Sequence, residues 1–192
     1  NFDNLKNMEN KNGFDEKSEF SDFFRSGKKK QWINNPINIT KNSNIDIVVE
    51  LVGGSDGLAK KIVISALNNK KHVITANKEL IAKHGNYLSF LAEKNKVNLE
   101  FEAAVAGGVP ILRNIKEGLV SNKISKLVGI LNGTSNYILT QMEHTGKKFS
   151  EVLKDAQQSG YAETNPKNDL NGNDVSSKIK ILSSLCFRSL IS

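Results

Sequence analysis

The rhythm of apolar and polar positions changes along the chain, and the changes mark out its elements. From Ile45 the run IDIVVELV is almost wholly β-branched and apolar, the pattern of a strand buried on both faces of a parallel sheet. Gly53 and Gly54 end it. Ser55 or Asp56 then stands where a helix cap is needed, ahead of a stripe formed by Leu58, Ile62, Ala66 and Leu67 that predicts a helix to about Asn68. HVIT, residues 72–75, predicts a second short strand. ANKELIAKHG predicts a broken helical stretch, YLSFLAEKN a further helix, and VNLEFE a third strand. Strand, helix, strand, helix, strand at this spacing predicts an α/β fold with a doubly wound parallel sheet and right-handed crossovers.

Beyond the third strand, Val109 to Gly118 predicts a helix with Pro110 in its first turn. KISKLVGIL, residues 123–131, predicts another strand, and NGTSNYILTQMEHTG a turn leading into a helix. FSEVLKDAQQSG predicts an amphipathic helix capped by Ser150 and closed by Gly160. A glycine- and proline-broken acidic loop with Glu163 and Asp169 follows. Val175, Ile179, Leu182 and Cys186 then recur at helical spacing, which places Asp174 and Lys178 on one face. Residues 1–30 fit this scheme least: they are rich in Asn, Lys, Asp and Ser, with a helix expected from about Glu16 to Arg25 and a solvated loop from Gly27 to Lys30.

A chain of 192 residues, 38% hydrophobic and 24% charged, fits one globular domain or two small ones, and excludes a fibrous or disordered protein. The net charge of +7 implies attraction to polyanions or phosphorylated ligands. Its lysines are scattered apart from Lys28, Lys29 and Lys30, and no aromatic and basic face accompanies them, so nucleic-acid binding is not expected. Cys186 is the only cysteine, which rules out an internal disulfide framework and implies a reducing compartment. No apolar run approaches the roughly 18 residues of a membrane span, and the first residues show no secretory signal. A cytoplasmic protein without a membrane partner is the expectation.

In open α/β sheets, ligands collect beyond the carboxyl ends of the strands. Here those ends are Gly53 and Gly54, then Thr75 to Lys78, then Glu102 to Gly108. Glycines allow the backbone to approach a ligand, and a lysine beside them suits a nucleotide or another anion. Gly107 and Gly108 serve equally well as a plain turn. Asn132, Gly133 and Thr134 offer donors at a helix start, suited either to an anion or to ordinary capping. Taken alone, Asp174 and Lys178 describe a solvated helix pair contributing a few tenths of a kcal/mol.

Five stretches in order give that pair a chemical meaning. IDIVVELVGG, HVITANK, FEAAVAGGVP, GILNGTSNYIL and the run holding Gly160, Glu163, Pro166, Asp169, Gly172, Asp174 and Lys178 resemble homoserine dehydrogenase from about Trp32 to Cys186. The resemblance implies a partial Rossmann-like NAD(P)-binding domain at 31–119 and a truncated α+β substrate and catalytic domain at 120–192. Residues 1–30 lack the family's glycine-rich cofactor loop. It further implies interconversion of L-homoserine and L-aspartate 4-semialdehyde with NADP or NAD, and a homodimer for the full-length family. Lys178 would exchange the proton at the substrate oxygen, with Asp174 beside it and Lys78 between cofactor and substrate. Glu163 and Asp169 would bind the substrate ammonium with Asp174. Gly53, Gly54, Thr75, Asn77 and Lys78 would line the cofactor cleft, and Glu102 with Val105, Gly107 and Val109 would hold a sodium ion. Two other readings stay open: a non-catalytic remnant that has lost dinucleotide binding, and a dehydrogenase of another amino-aldehyde.

Overall fold

Three parallel strands carry the first part of the chain in a computed structural model that describes residues 33–189. After a short helix α1, Pro36–Lys41, come β1 at Ile47–Glu50, α2 at Leu58–Asn68, β2 at His72–Thr75, α3 at Lys78–Asn95 and β3 at Leu99–Glu100. The sheet order is β1-β2-β3, with Ile47 opposite His72, Glu50 opposite Thr75, and Val73 opposite Leu99. Each connection runs through a helix, as parallel pairing requires. The helix and loop expected within residues 16–30 lie outside the described residues.

The first strand is shorter than IDIVVELV, and only one of its faces is buried. Val48 and Glu50 point inward, while Ile47 and Val49 remain 54% and 59% exposed. Helix α2 supplies the cover on the buried side: it packs on β1, β2 and α3, and puts Ile62, Val63, Ala66 and Leu67 into the core. Its start differs from expectation too. Gly57, with φ 72°, occupies the cap position and no side chain caps the helix, because Asp56 is drawn to Lys83 and His84 instead.

ANKELIAKHG and YLSFLAEKN form one continuous helix of 18 residues, α3, not two. Gly85 does not break it. Its missing side chain leaves room for Ile81, whose Cγ2 would lie 3.3 Å from an added Cβ, and Leu80, Leu88 and Leu91 on either side are buried. Each such leucine contributes about 1.5–3 kcal/mol by leaving water, which outweighs the roughly 1 kcal/mol that a helical glycine costs.

The third strand reaches only Glu100, then gives way to a 3-10 turn at Glu102–Ala104. Pro110 sits at the cap of a short helix α4, Ile111–Arg113, which widens into a π turn over Asn114–Gly118. Residues 123–131 form no strand. The segment is rich in apolar residues, yet no strand pairs with it among the described residues, and Val128 and Ile130 are 78% and 76% exposed. Without a neighbour to take its N–H and C=O groups, a strand cannot form.

The last part is helical: α5 at Gly133–Thr145, α6 at Phe149–Gln158, α7 at Lys167–Leu170 and α8 at Asn173–Phe187. Helix α6 begins one residue ahead of Ser150, with Lys148 at its cap and the Lys148 N–H donating to Glu151. Ser159 and then Gly160, at φ 76°, close it. Val152 and Ala156 of α6 pack on Ile138 of α5 in a small second core. Helix α8 joins the main core through Ile181, Leu182 and Cys186 and lies against α3.

Candidate active site

The packing of α8 on α3 brings together residues almost a hundred positions apart. Asp174, in the first turn of α8, is 6% exposed at its side chain and is gripped from two sides. Lys178, one turn along the same helix, donates to Oδ2 at 2.7 Å, and Lys78, the first residue of α3, lies 2.5 Å from Oδ1. A carboxylate in the first turn of a helix also meets the positive end of the helix dipole, whereas Lys78 at the start of α3 meets it unfavourably. Pairing with Asp174 offsets that cost.

Asn132 completes the cluster. Its side-chain oxygen accepts the Ser135 N–H at 2.7 Å and so caps α5, leaving its amide to donate to Asp169 at 2.8 Å and to Asp174 Oδ2 at 3.0 Å. Ser135 adds a hydroxyl bond to the Asp169 carbonyl. Burial works to raise the Asp174 pKa, but the hydrogen bonds from Lys178, Lys78 and Asn132 overcome it and hold the carboxyl at about 2. Asp174 is therefore ionised throughout the neutral range. Lys178 spends one further donor on the Leu131 carbonyl, at 2.7 Å. An ammonium has three N–H donors, so these two bonds leave one of them over.

The positions expected on the cofactor side converge differently. Gly53 and Gly54 follow β1 with φ 82° and 79°, and a Cβ on either would meet nothing within 4 Å. Their glycines are thus required by backbone conformation, not by crowding. Asn77 caps α3 by accepting the Leu80 N–H and donates to the Gly54 carbonyl at 2.8 Å. Thr75 is buried, and its hydroxyl is committed to Glu50 and to the Asn77 N–H. Both side chains are used within the fold.

Glu163 stays apart from the cluster: it is exposed, and among the described residues only its backbone carbonyl is engaged, by Gln157. Its loop is held nearby by Tyr161, which stacks on Tyr137 with ring centres 4.3 Å apart and accepts from Thr134 at its carbonyl. Glu102 turns its carboxylate to the start of α4, accepting from the Leu112 and Arg113 N–H groups at 3.0 and 2.8 Å.

Sequence reasoning did not find the side-chain role of Asn132 or the use of the Leu131 carbonyl. An asparagine before a helix reads first as a cap, and nothing local shows that its side-chain NH2 donates to two carboxylates 37 and 42 residues away. The cluster in which Asp56 takes Lys83 at 2.6 Å and His84 at 3.0 Å was equally hidden. Lys83 and then His84 hold the Asp56 carboxyl well below the usual carboxylate range.

A parallel sheet whose strand ends gather a glycine turn and a capped helix start, with a lysine set over a buried aspartate, has the layout of the nucleotide-binding α/β folds. Comparison with known proteins narrows this. Residues 8–102 match the family model described as the NAD-binding domain of homoserine dehydrogenase, and residues 110–192 match the one described as homoserine dehydrogenase itself. The chain belongs to the homoserine dehydrogenase family. It is 49% identical over 156 residues to the homoserine dehydrogenase of Neisseria gonorrhoeae, covering 81% of this chain and 36% of that protein. The Pseudomonas aeruginosa protein is 50% identical over 146 residues, covering 76% and 33%. A crystal structure of a homoserine dehydrogenase from Thiobacillus denitrificans superposes with a TM-score of 0.78 at 47% identity, over 83% of this chain and 37% of that one. A hyperthermophilic archaeal homoserine dehydrogenase in complex with NADPH gives 0.75 at 28% identity, over 85% and 50%. The chain thus spans about a third of the length of the curated relatives it matches.

Proposed function

We propose that this chain carries the catalytic centre of a homoserine dehydrogenase, interconverting L-homoserine and L-aspartate 4-semialdehyde with NADP or NAD, in the cytoplasm and without a nucleic-acid or membrane partner. The observation that carries the reading is the Asp174 carboxylate held between Lys78 and Lys178, beside the strand ends where α/β folds bind nucleotides. A bound nicotinamide cofactor would supply the hydride for the aldehyde carbon. Negative charge then builds on the aldehyde oxygen, and Lys178 gives that oxygen a proton through the donor it does not spend on Leu131 and Asp174. In the reverse direction Lys178 takes the proton back from the alcohol.

The other residues bind and orient. Lys78, next to Asn77 in the chain and paired with Asp174, would stand between the cofactor and the substrate. Glu163, with its carboxylate uncommitted, and Asp169 supply the negative charge that a substrate ammonium requires. Glu102, with the backbone carbonyls of Val105, Gly107 and Val109, would hold a sodium ion in a structural role. An all-oxygen donor set suits a hard cation, and a carboxylate accepting two N–H bonds retains lone pairs for it. A homodimer is the assembly that the resemblance implies for the full-length family.

Lys178→Ala tests the central assignment. Turnover of homoserine with NADP or NAD falls by at least a hundredfold, the loss expected when a general acid is removed, while NADPH affinity by fluorescence titration stays within a fewfold of the parent. Near-normal turnover in the variant removes Lys178 from the proton step. Absence of NADPH binding by the parent chain favours the remnant reading instead.

A further inference from the structure

Glu50 is a buried carboxylate that the chemistry above leaves unused. It ends β1 at 1% exposure, and no lysine, arginine or histidine pairs with it among the described residues. A lone charge in such a place costs several kcal/mol unless hydrogen bonds compensate, and here three do. Oε1 accepts the Val52 and Gly53 N–H groups at 2.6 and 3.3 Å, and Oε2 accepts the Thr75 hydroxyl at 2.6 Å.

These bonds close a ring. From Thr75 the next link is the Asn77 N–H, donated to the Thr75 oxygen at 3.0 Å, and from Asn77 the side-chain amide returns to the Gly54 carbonyl at 2.8 Å. The glycine turn after β1 is thereby tied to the residues after β2. The residue that follows Asn77 is Lys78, whose ammonium meets Asp174. We propose that Glu50 is a positioning residue: its carboxylate fixes the Gly53–Gly54 turn and, through Thr75 and Asn77, the first turn of α3, so that Lys78 reaches Asp174 from a set point. Its relevance to the reaction rests on the function proposed above; its effect on Lys78 does not.

Only an acceptor on both oxygens satisfies the ring. In Glu50→Gln the new NH2 group must face either the Val52 and Gly53 N–H donors or the Thr75 hydroxyl. In the second arrangement Thr75 accepts from both Gln and Asn77, and its own proton loses its acceptor.

The test uses the whole 192-residue chain, with folding verified by circular dichroism. The Asp174 carboxyl is titrated by carbon-13 NMR, and the Val52 and Lys78 amides are followed by nitrogen-15 NMR. In Glu50→Gln we expect both amide resonances to move and the Asp174 midpoint to rise by about one pH unit, since Lys78 no longer stabilises its charge fully. NADPH affinity, by fluorescence, is expected to fall roughly tenfold, the outcome of about 1.4 kcal/mol. A folded variant with an unchanged Asp174 midpoint overturns the proposal. Should Glu50→Gln not fold, Asn77→Ser opens the ring elsewhere: it keeps a helix cap but loses the bond to Gly54. A rise in the same midpoint then supports the proposal, and an unchanged midpoint overturns it. A parent chain that fails to bind NADPH overturns the cofactor reading, while the Asp174 titration still decides the role of Glu50.

Discussion

Replacing Asp174 by Asn keeps the shape of the side chain and removes the charge that two lysines share. The carboxyl lies at about 2 in the folded chain against an ordinary value of 3.8. At about 1.36 kcal/mol per pH unit, that difference is worth roughly 2 kcal/mol of folding free energy. With a side chain 6% exposed, solvent screening takes little of it away. The sign follows from the direction. A carboxyl that is more acidic folded than unfolded stabilises the fold above about pH 4, and this share is lost as the pH falls toward about 2. Asp174→Asn is therefore expected to lose about 2 kcal/mol near neutrality and to show a correspondingly smaller loss between about pH 4 and 2. Urea unfolding followed by far-ultraviolet circular dichroism measures both. Asp56 is also held below the usual range, but it is half-exposed at 52% and screened, so its share does not mask the difference. A variant with the parent's stability at neutral pH, or with the parent's full acid sensitivity, refutes the picture of a carboxylate held ionised by its two lysines.

Two further substitutions test the scaffold and the site separately. Leu67→Ala, at a position with 0% exposure between α2 and the sheet, is expected to cost about 2–5 kcal/mol in urea unfolding with the site geometry intact. Asn132→Ala removes the α5 cap and both carboxylate contacts. A stability loss of about 1–2 kcal/mol is expected, together with an upward move of the Asp174 titration midpoint seen by NMR; an unmoved midpoint takes Asn132 out of the site.

How far the sequence carried the description depended on whether a signal was local. The alternation of apolar runs and helical stripes fixed the order of β1, α2, β2 and α3, because burial against a sheet sets those periods directly. Gly85 misled, since a glycine and a helical stretch say nothing about whether a neighbour such as Ile81 needs the space. Residues 123–131 misled for the opposite reason: their pattern is that of a strand, but a strand exists only with a partner, and pairing is not written in the segment itself. The spacing of Asp174 and Lys178 was legible as two groups on one helix face. That Lys78 approaches the same carboxylate from another helix was not legible: likeness to a family set Lys78 only between cofactor and substrate. Asn132 was legible as a helix cap or anion contact but not by its partners, and Glu50 not at all, because an amide and a carboxylate beside apolar runs have many local uses and their actual partners lie elsewhere in the chain.

The unbroken course of α3 has a mechanical meaning. Eighteen residues at about 1.5 Å each make a rod of roughly 27 Å, with Lys78 at its tip and the buried Leu80, Leu88 and Leu91 clamping its shaft along the core. A rod held over that length does not bend to withdraw its tip. Any opening at Asp174 must come from torsion in the Lys78 side chain or from α8 moving as a body, and of the two surfaces that meet there, α3 is the anvil.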